Sequence, residues 1–197
     1  RDILEAVKAH PGQKFMLAEN CCYWAQIMAW REMFAQGLLG EFMYAEAEYI
    51  HEIGSLLRDA EGRPTWRASL PPIYYCTHSL GPLLMITGQR CVSACGLHTG
   101  SKLHRDVGHT NMEVGIFQTS NGGVIKILCG FGVVREPMFH YYSLYGTKGT
   151  LETARPPEPL RSHTYLEAVP HLQNMIEIPL GYDVPGAPPQ ARLGGHG

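Results

Sequence analysis

The stretch Glu41-Phe42-Met43-Tyr44-Ala45-Glu46-Ala47-Glu48-Tyr49-Ile50-His51-Glu52 alternates with a period of two. Ala45, Ala47, Tyr49 and His51 point one way, while Tyr44, Glu46, Glu48 and Ile50 point the other. Such a segment is a β-strand in a sheet with unlike faces. The small alanines next to a Tyr and a His either leave room for a ligand or accept a bulky helix, and the pattern alone leaves both open. On the other face, Glu46 and Glu48 read as solvated carboxylates rather than a paired glycosidase site.

Working outward, strand signals follow at Arg90–Leu97, Asn111–Thr119, Val124–Gly130, Tyr141–Tyr145 and Thr150–Thr153, with a further short one at Met175–Pro179. Asn121-Gly122-Gly123 is a hairpin turn, and Gly146-Thr147-Lys148-Gly149 is a second turn. Upstream, Ile3, Leu4 and Val7 follow helical spacing until His10-Pro11-Gly12 stops the run, and Lys14–Glu19 reads as a short buried strand. Trp24–Gln36 is predicted helical, with Ile27, Trp30, Phe34 and Leu38 on one stripe and Gly37 and Gly40 as the stop. Tyr74–Thr87 is apolar and helical, and the polar, Pro-rich span from Glu52 to Pro72 is an irregular connection. This order predicts an α+β fold: an open, mainly antiparallel sheet with helices on one face.

Composition narrows the function. The 197 residues are 45% hydrophobic, enough for a real core, and carry 16 Lys+Arg against 18 Asp+Glu. A formal net charge of -2 with no basic cluster gives no basis for binding nucleic acid. No run reaches the ~18 apolar residues of a membrane span, so no membrane partner is expected. The chain opens inside a helical pattern without Met, and the expectation is a slice of a longer protein. Its six cysteines make no regular framework; buried reduced thiols are expected, and with them a reducing, cytoplasmic setting.

Several groups of residues can carry chemistry. Glu19-Asn20-Cys21-Cys22-Tyr23-Trp24 sits where the predicted strand would meet a helix, and Asn20 offers both an amide contact and a helix N-cap. Tyr74-Tyr75-Cys76-Thr77-His78-Ser79-Leu80-Gly81-Pro82 places a His, a Thr and two phenols near a helix start, which suits acid/base or neutral hydrogen-bonding work. Trp66-Arg67 adds a guanidinium and an aromatic wall, fitting a polyhydroxylated or anionic ligand. His98, His104 and His109 with Asp106 match no short zinc spacing, and no metal site is expected. Gly130-Phe131-Gly132 is a lone GxG, short of a dinucleotide fingerprint.

Taken together, Ala18–Tyr23, Ala45–Glu52, Trp66-Arg67, Tyr75–Pro82 and Gly146–Gly149 with Leu151-Glu152 resemble the Gfo/Idh/MocA oxidoreductases, above all the branch of NAD-dependent α-N-acetylgalactosaminidases. The resemblance implies that residues 1–12 are the last helix of an absent Rossmann domain. It makes residues 14–197 the substrate-binding α+β domain, truncated at its C-terminus. It further implies that Asn20 touches the cofactor, NAD or NADP, which the missing domain mainly binds. Tyr49, Arg67, Tyr75, Cys76, Thr77 and His78 would line the sugar site, with His78 the catalytic acid/base. Departures from the pattern stand at Tyr74 and Gly81, where many members carry Asp, and at Cys76, where the glycosidase-like branch has Pro.

The expected function is hydride transfer to or from a sugar or cyclitol. The alternatives are an NAD-dependent glycosidase working by oxidation, elimination and reduction, or a non-catalytic sugar-binding or assembly module. The partners expected are a small carbohydrate and a second copy paired through the sheet. Alone, the chain is expected to be inert and to bind NAD weakly.

Overall fold

The computed structural model describes residues 2–155 and 161–179. Eight strands form one sheet: β1 (Phe42–Ile50), β2 (Cys91–His98), β3 (Met112–Thr119), β4 (Val124–Gly130), β5 (Phe139–Gly146), β6 (Gly149–Thr153), β7 (Ser162–Leu166) and β8 (Ile176–Ile178). They lie in the order β2-β3-β4-β1-β5-β6-β7-β8, with β1 and β4 parallel and every other neighbouring pair antiparallel. Among the described residues, helices α1 (Asp2–Ala9), α2 (Ala25–Ala35) and α3 (Thr77–Thr87) complete the regular structure with five short 3-10 turns. The α+β architecture expected from the alternating and helical periods is the one observed.

The core lies between the sheet and the paired helices α2 and α3. In register, Ala45 faces Ile125 on β4 and Leu144 on β5, and Ala47 faces Ile127 and Tyr142. All of these side chains are fully buried beneath Ile27, Trp30, Leu83 and Ile86. The alanines are small because the helices sit on them, which removes the option of a ligand over that part of β1. Burying each large aliphatic side chain here contributes ~1.5–3 kcal/mol. Trp30 Nε1 donates to Ser162 Oγ at 2.6 Å, tying α2 to β7.

The opposite sheet face is less solvated than Glu46 and Glu48 implied. Arg155 holds Glu48 through paired hydrogen bonds of 2.6 and 2.8 Å, and Glu48 is buried. Glu46 is paired with Lys126 at 2.9 Å. A carboxylate in the middle of a sheet is stable there because the bidentate guanidinium replaces its water.

Other expectations are corrected. Lys14–Glu19 is not a buried strand: Phe15, Met16 and Leu17 are exposed, since among the described residues no element packs on them. Helix α1 likewise buries no side chain. Cys21, Cys22 and Cys129 are buried and all six thiols are free, but Cys91 and Cys95 are exposed because β2 is an edge strand. Strand β7 carried no strong alternation and is formed by pairing with β6. The Ala191–Gly197 ending lies outside the described residues.

Candidate functional site

The candidate site opens beyond the carboxyl ends of the parallel pair β1 and β4. Past those ends the ladder continues, with His51 N donating to Gly130 O at 2.8 Å and Ile53 N to Phe131 O at 3.2 Å. The crevice outside the carboxyl ends of parallel strands is where open sheets gather ligands. Here it is a cleft of about 240 Å³ walled by Tyr49, His51 and Phe131, by Arg67 and Leu70 from the connection, by Tyr75 just before α3 and by His78 in its first turn. Drug-sized pockets run to ~300–1,000 Å³, so this cleft suits a single small ring rather than a dinucleotide.

The placement of His78 follows from local sequence. Pro71-Pro72 starts the 3-10 turn Pro72–Tyr75, whose Ile73 N–H donates to Glu113 Oε2 at 2.7 Å, and α3 begins two residues later. Four residues beyond His78 stands Pro82, inside the helix and without the N–H that would cap the His78 carbonyl. The buried Tyr142 hydroxyl from β5 donates to that carbonyl instead. Loss of a helical bond is thereby converted into an anchor for His78 on the sheet.

The imidazole has a second tether. His78 Nδ1 lies 2.7 Å from Glu19 Oε1, and the same carboxylate oxygen accepts from Cys21 N at 3.2 Å. Glu19, rather than Asn20, is therefore the cap of the 3-10 turn Asn20–Tyr23. Burial tends to raise the Glu19 carboxyl, but hydrogen bonds from His78, Thr77 and the Cys21 N–H outweigh it and hold the group below the usual carboxylate range. An ionised Glu19 accepts the Nδ1 proton and leaves Nε2 as the basic nitrogen of the neutral ring. Gly81 makes this approach possible, since a Cβ there would lie 3.3 Å from both Glu19 Cγ and Cys22 Sγ.

Glu19, Cys21 and His78 bring three potential metal donors within 4.8 Å of one another. Burial, with the nearby Glu19 charge, pushes the Cys21 thiol up to about 12, so it stays protonated. With all three groups already hydrogen-bonded, Glu19 to His78 and the Cys21 thiol to Asn20, the set is a proton-holding constellation.

Tyr49 is held by packing on several sides. Its ring stacks on His140 with centroids 4.3 Å apart and meets Phe131 edge-on at 5.4 Å. Its hydroxyl lies 3.1 Å from His51 Nδ1. Burial, reinforced by Tyr75, pushes the Tyr49 hydroxyl up to about 12. His140 is pushed down to about 4 by burial and then by His78, so it is a neutral plate behind Tyr49. Arg67 also stacks over Trp66, 4.4 Å from the ring centre.

Of the residues singled out from sequence, Tyr49, Arg67, Tyr75 and His78 share the cleft. Cys76 instead packs against the main core, Thr77 bonds Glu19, and Asn20 accepts from the Cys21 thiol at 3.5 Å beside the Glu19–His78 pair. Glu19, His51 and Phe131 were not assigned from sequence. The pairing of Tyr49 with His51 was visible in the two-residue period of β1, whereas nothing local marked Glu19 as the partner of a residue 59 positions away. His98, His104 and His109 go separate ways, to the Gly100 N–H, to Glu52 and to the Ala68 carbonyl. A wider depression of about 480 Å³ lies by the β5–β6 turn, at the other end of β1, and touches none of these groups.

Comparison with known proteins bears on this constellation. No family model matches the sequence. Glycosyl hydrolase family 109 protein 2 of Shewanella sp. (strain ANA-3) is 36% identical over 73 residues, 34% of this chain and 16% of that protein. Glycosyl hydrolase family 109 protein 2 of Akkermansia muciniphila is 26% identical over all of this chain and 47% of its own length. The alpha-N-acetylgalactosaminidase of Bacteroides fragilis is 27% identical over 53% of this chain and 24% of its own. Among solved structures, an NAD binding oxidoreductase from Klebsiella pneumoniae superposes with a TM-score of 0.72 at 16% identity, covering 91% of this chain and 50% of its own. An aldose-aldose oxidoreductase from Caulobacter crescentus, complexed with glycerol, gives 0.71 at 15%, covering 93% and 52%. The chain is thus similar in sequence to glycosyl hydrolase family 109 proteins, and it shares its α+β fold with about half of each of these oxidoreductase structures. It spans about half the length of the relative from Akkermansia muciniphila that it matches over its whole length.

Proposed function

We propose that the chain is the substrate-binding half of an NAD(P)-dependent site that acts on a sugar or cyclitol. The observation that carries this reading is the convergence of Tyr49, Arg67, Tyr75 and His78 on one ring-sized cleft, with Glu19 orienting the imidazole. Hydroxyl, guanidinium and imidazole groups on an aromatic floor are the means by which proteins hold polyols. His78 is the catalytic residue of this reading: Nε2 takes or returns the proton of a ring hydroxyl while Glu19 holds Nδ1–H. Arg67, Tyr75 and Tyr49 orient the ring. Cys76 and Thr77, which face the core and Glu19, enter as supports for His78 rather than as ligand contacts.

Of a dinucleotide, this chain would meet only the nicotinamide end. Asn20, next to the Glu19–His78 pair, is the residue that would meet its carboxamide. The phosphates find no such cradle at Gly130-Phe131-Gly132, where a Cβ on Gly132 would lie 2.0 Å from Asn111 Nδ2. The cofactor, when bound, supplies a hydride acceptor and donor. The residues of this chain supply proton handling and ring orientation.

The names of the curated relatives favour a second reading within the same site, glycoside cleavage by transient oxidation. Proton handling then serves the hydroxyl, the neighbouring C–H and the leaving group in turn, which asks for more than one acid/base group. The test uses this chain and a Rossmann half supplied on a second chain. N-acetylgalactosamine should shift the NMR signals of His78 and Tyr49, and an aryl N-acetylgalactosaminide should be cleaved only with NAD present. Net NADH accumulation on free sugar supports the dehydrogenase; absence of any sugar-induced shift overturns both readings.

A further inference from the structure

Tyr49 is held on every side except its hydroxyl. His140 stacks on the ring, Phe131 abuts its edge, and Tyr75 and His78 lie with ring centres 6.2 and 5.4 Å away. What remains open is the polarity of the hydroxyl, which can donate or accept toward a ligand in the cleft. Its partner within the chain is His51 Nδ1 at 3.1 Å, two residues on along the same strand face and itself a wall of the cleft. The His51 main chain is fixed by its 2.8 Å bond to the Gly130 carbonyl, so the imidazole hangs from a rigid point where the β1–β4 ladder ends.

We propose that His51 is a positioning residue of this site: Nδ1 accepts the Tyr49 phenol proton and so fixes Tyr49 Oη as a hydrogen-bond acceptor toward the cleft. A phenol O–H is the stronger donor and a neutral imidazole nitrogen the stronger acceptor, which sets the direction of this bond. In the resulting tautomer the His51 ring proton is on Nε2. A ligand then meets Tyr49 productively only by offering a donor, as a ring hydroxyl does. An ether or carbonyl oxygen at that place meets a lone pair. This inference rests on the sugar-binding reading for its ligand, and on the Tyr49–His51 geometry alone for its polarity.

Two measurements separate those parts. Nitrogen-15 NMR of the full chain, labelled at histidine, should show His51 as the Nε2–H tautomer, with an Nδ1 shift that moves in Tyr49→Phe. Finding the Nδ1–H tautomer overturns the proposal whatever the ligand. Titration with N-acetylgalactosamine should then give about tenfold weaker binding in His51→Leu, a loss in the range of one hydrogen bond. His51→Asn keeps an acceptor near the Nδ1 position and should recover affinity to within about threefold. Equal affinity in wild type and His51→Leu, or failure of His51→Asn to recover while the chain stays folded, refutes the positioning role. If N-acetylgalactosamine binds no variant and not the wild type, the sugar reading fails, while the tautomer still decides the polarity.

Discussion

Replacing Tyr142 by Phe removes one hydroxyl from a fully buried side chain and should be felt at His78. The His78 carbonyl has no helical donor because residue 82 is proline, so the variant strands an acceptor in half-buried surroundings. An unsatisfied group of this kind costs about 1–3 kcal/mol, and partial solvent access points to the lower half of that range. At roughly 2–4 °C per kcal/mol for a chain of this size, the melting temperature should drop by about 2–8 °C. The Tyr142 hydroxyl also meets the Cys21 thiol, so the single variant does not isolate the carbonyl contact. A double-mutant cycle does. Pro82→Ala restores an N–H facing the His78 carbonyl, and in that background Tyr142→Phe should cost about 1 kcal/mol less. Urea unfolding followed by circular dichroism measures all four corners. Equal cost of Tyr142→Phe in both backgrounds would refute the idea that Pro82 and Tyr142 act on the same carbonyl.

Glu19 is held below the ordinary carboxylate range, so its ionised form contributes stability above the unfolded value of about 4.3, lost as pH falls through its lower folded value. Glu19→Gln should flatten the acid limb of a melting-temperature profile below about pH 4.3, and an unchanged limb would show the tether to be idle. His140 behaves differently: folded it protonates only near 4, unfolded near 6.5. Stability should therefore decline as pH falls from about 6.5 toward 4, and His140→Phe should remove that decline while keeping the plate behind Tyr49. Gly81→Ala places a methyl 3.3 Å from Glu19 Cγ and Cys22 Sγ. Glu19 should give way by a few tenths of an ångström, seen as a changed His78 Nδ1 shift in NMR with the fold intact. No change would mean that the turn and helix separate freely.

The regular elements were legible because their cause is local. The alternation through Ala45, Ala47, Tyr49 and His51 reports a strand, and Ile27, Trp30 and Phe34 report a helix stripe, whatever lies elsewhere in the chain. Four of the residues singled out from sequence, Tyr49, Arg67, Tyr75 and His78, share one cleft. The rest depended on what each segment packs against. The apolar run Phe15-Met16-Leu17 looks like a buried strand until the structure leaves it exposed, and Glu48 looks solvated until Arg155, 107 residues away, folds over it. Likewise, the parallel pairing of β1 with β4 sets the cleft at their shared ends, and it joins segments separated by α3 and the strands β2 and β3. Sequence order carries periodicity, turn chemistry and missing donors such as the N–H of Pro82. Which distant group fills the gap, Tyr142 for the His78 carbonyl or Glu19 for its ring, is decided only when the sheet brings them within hydrogen-bond reach.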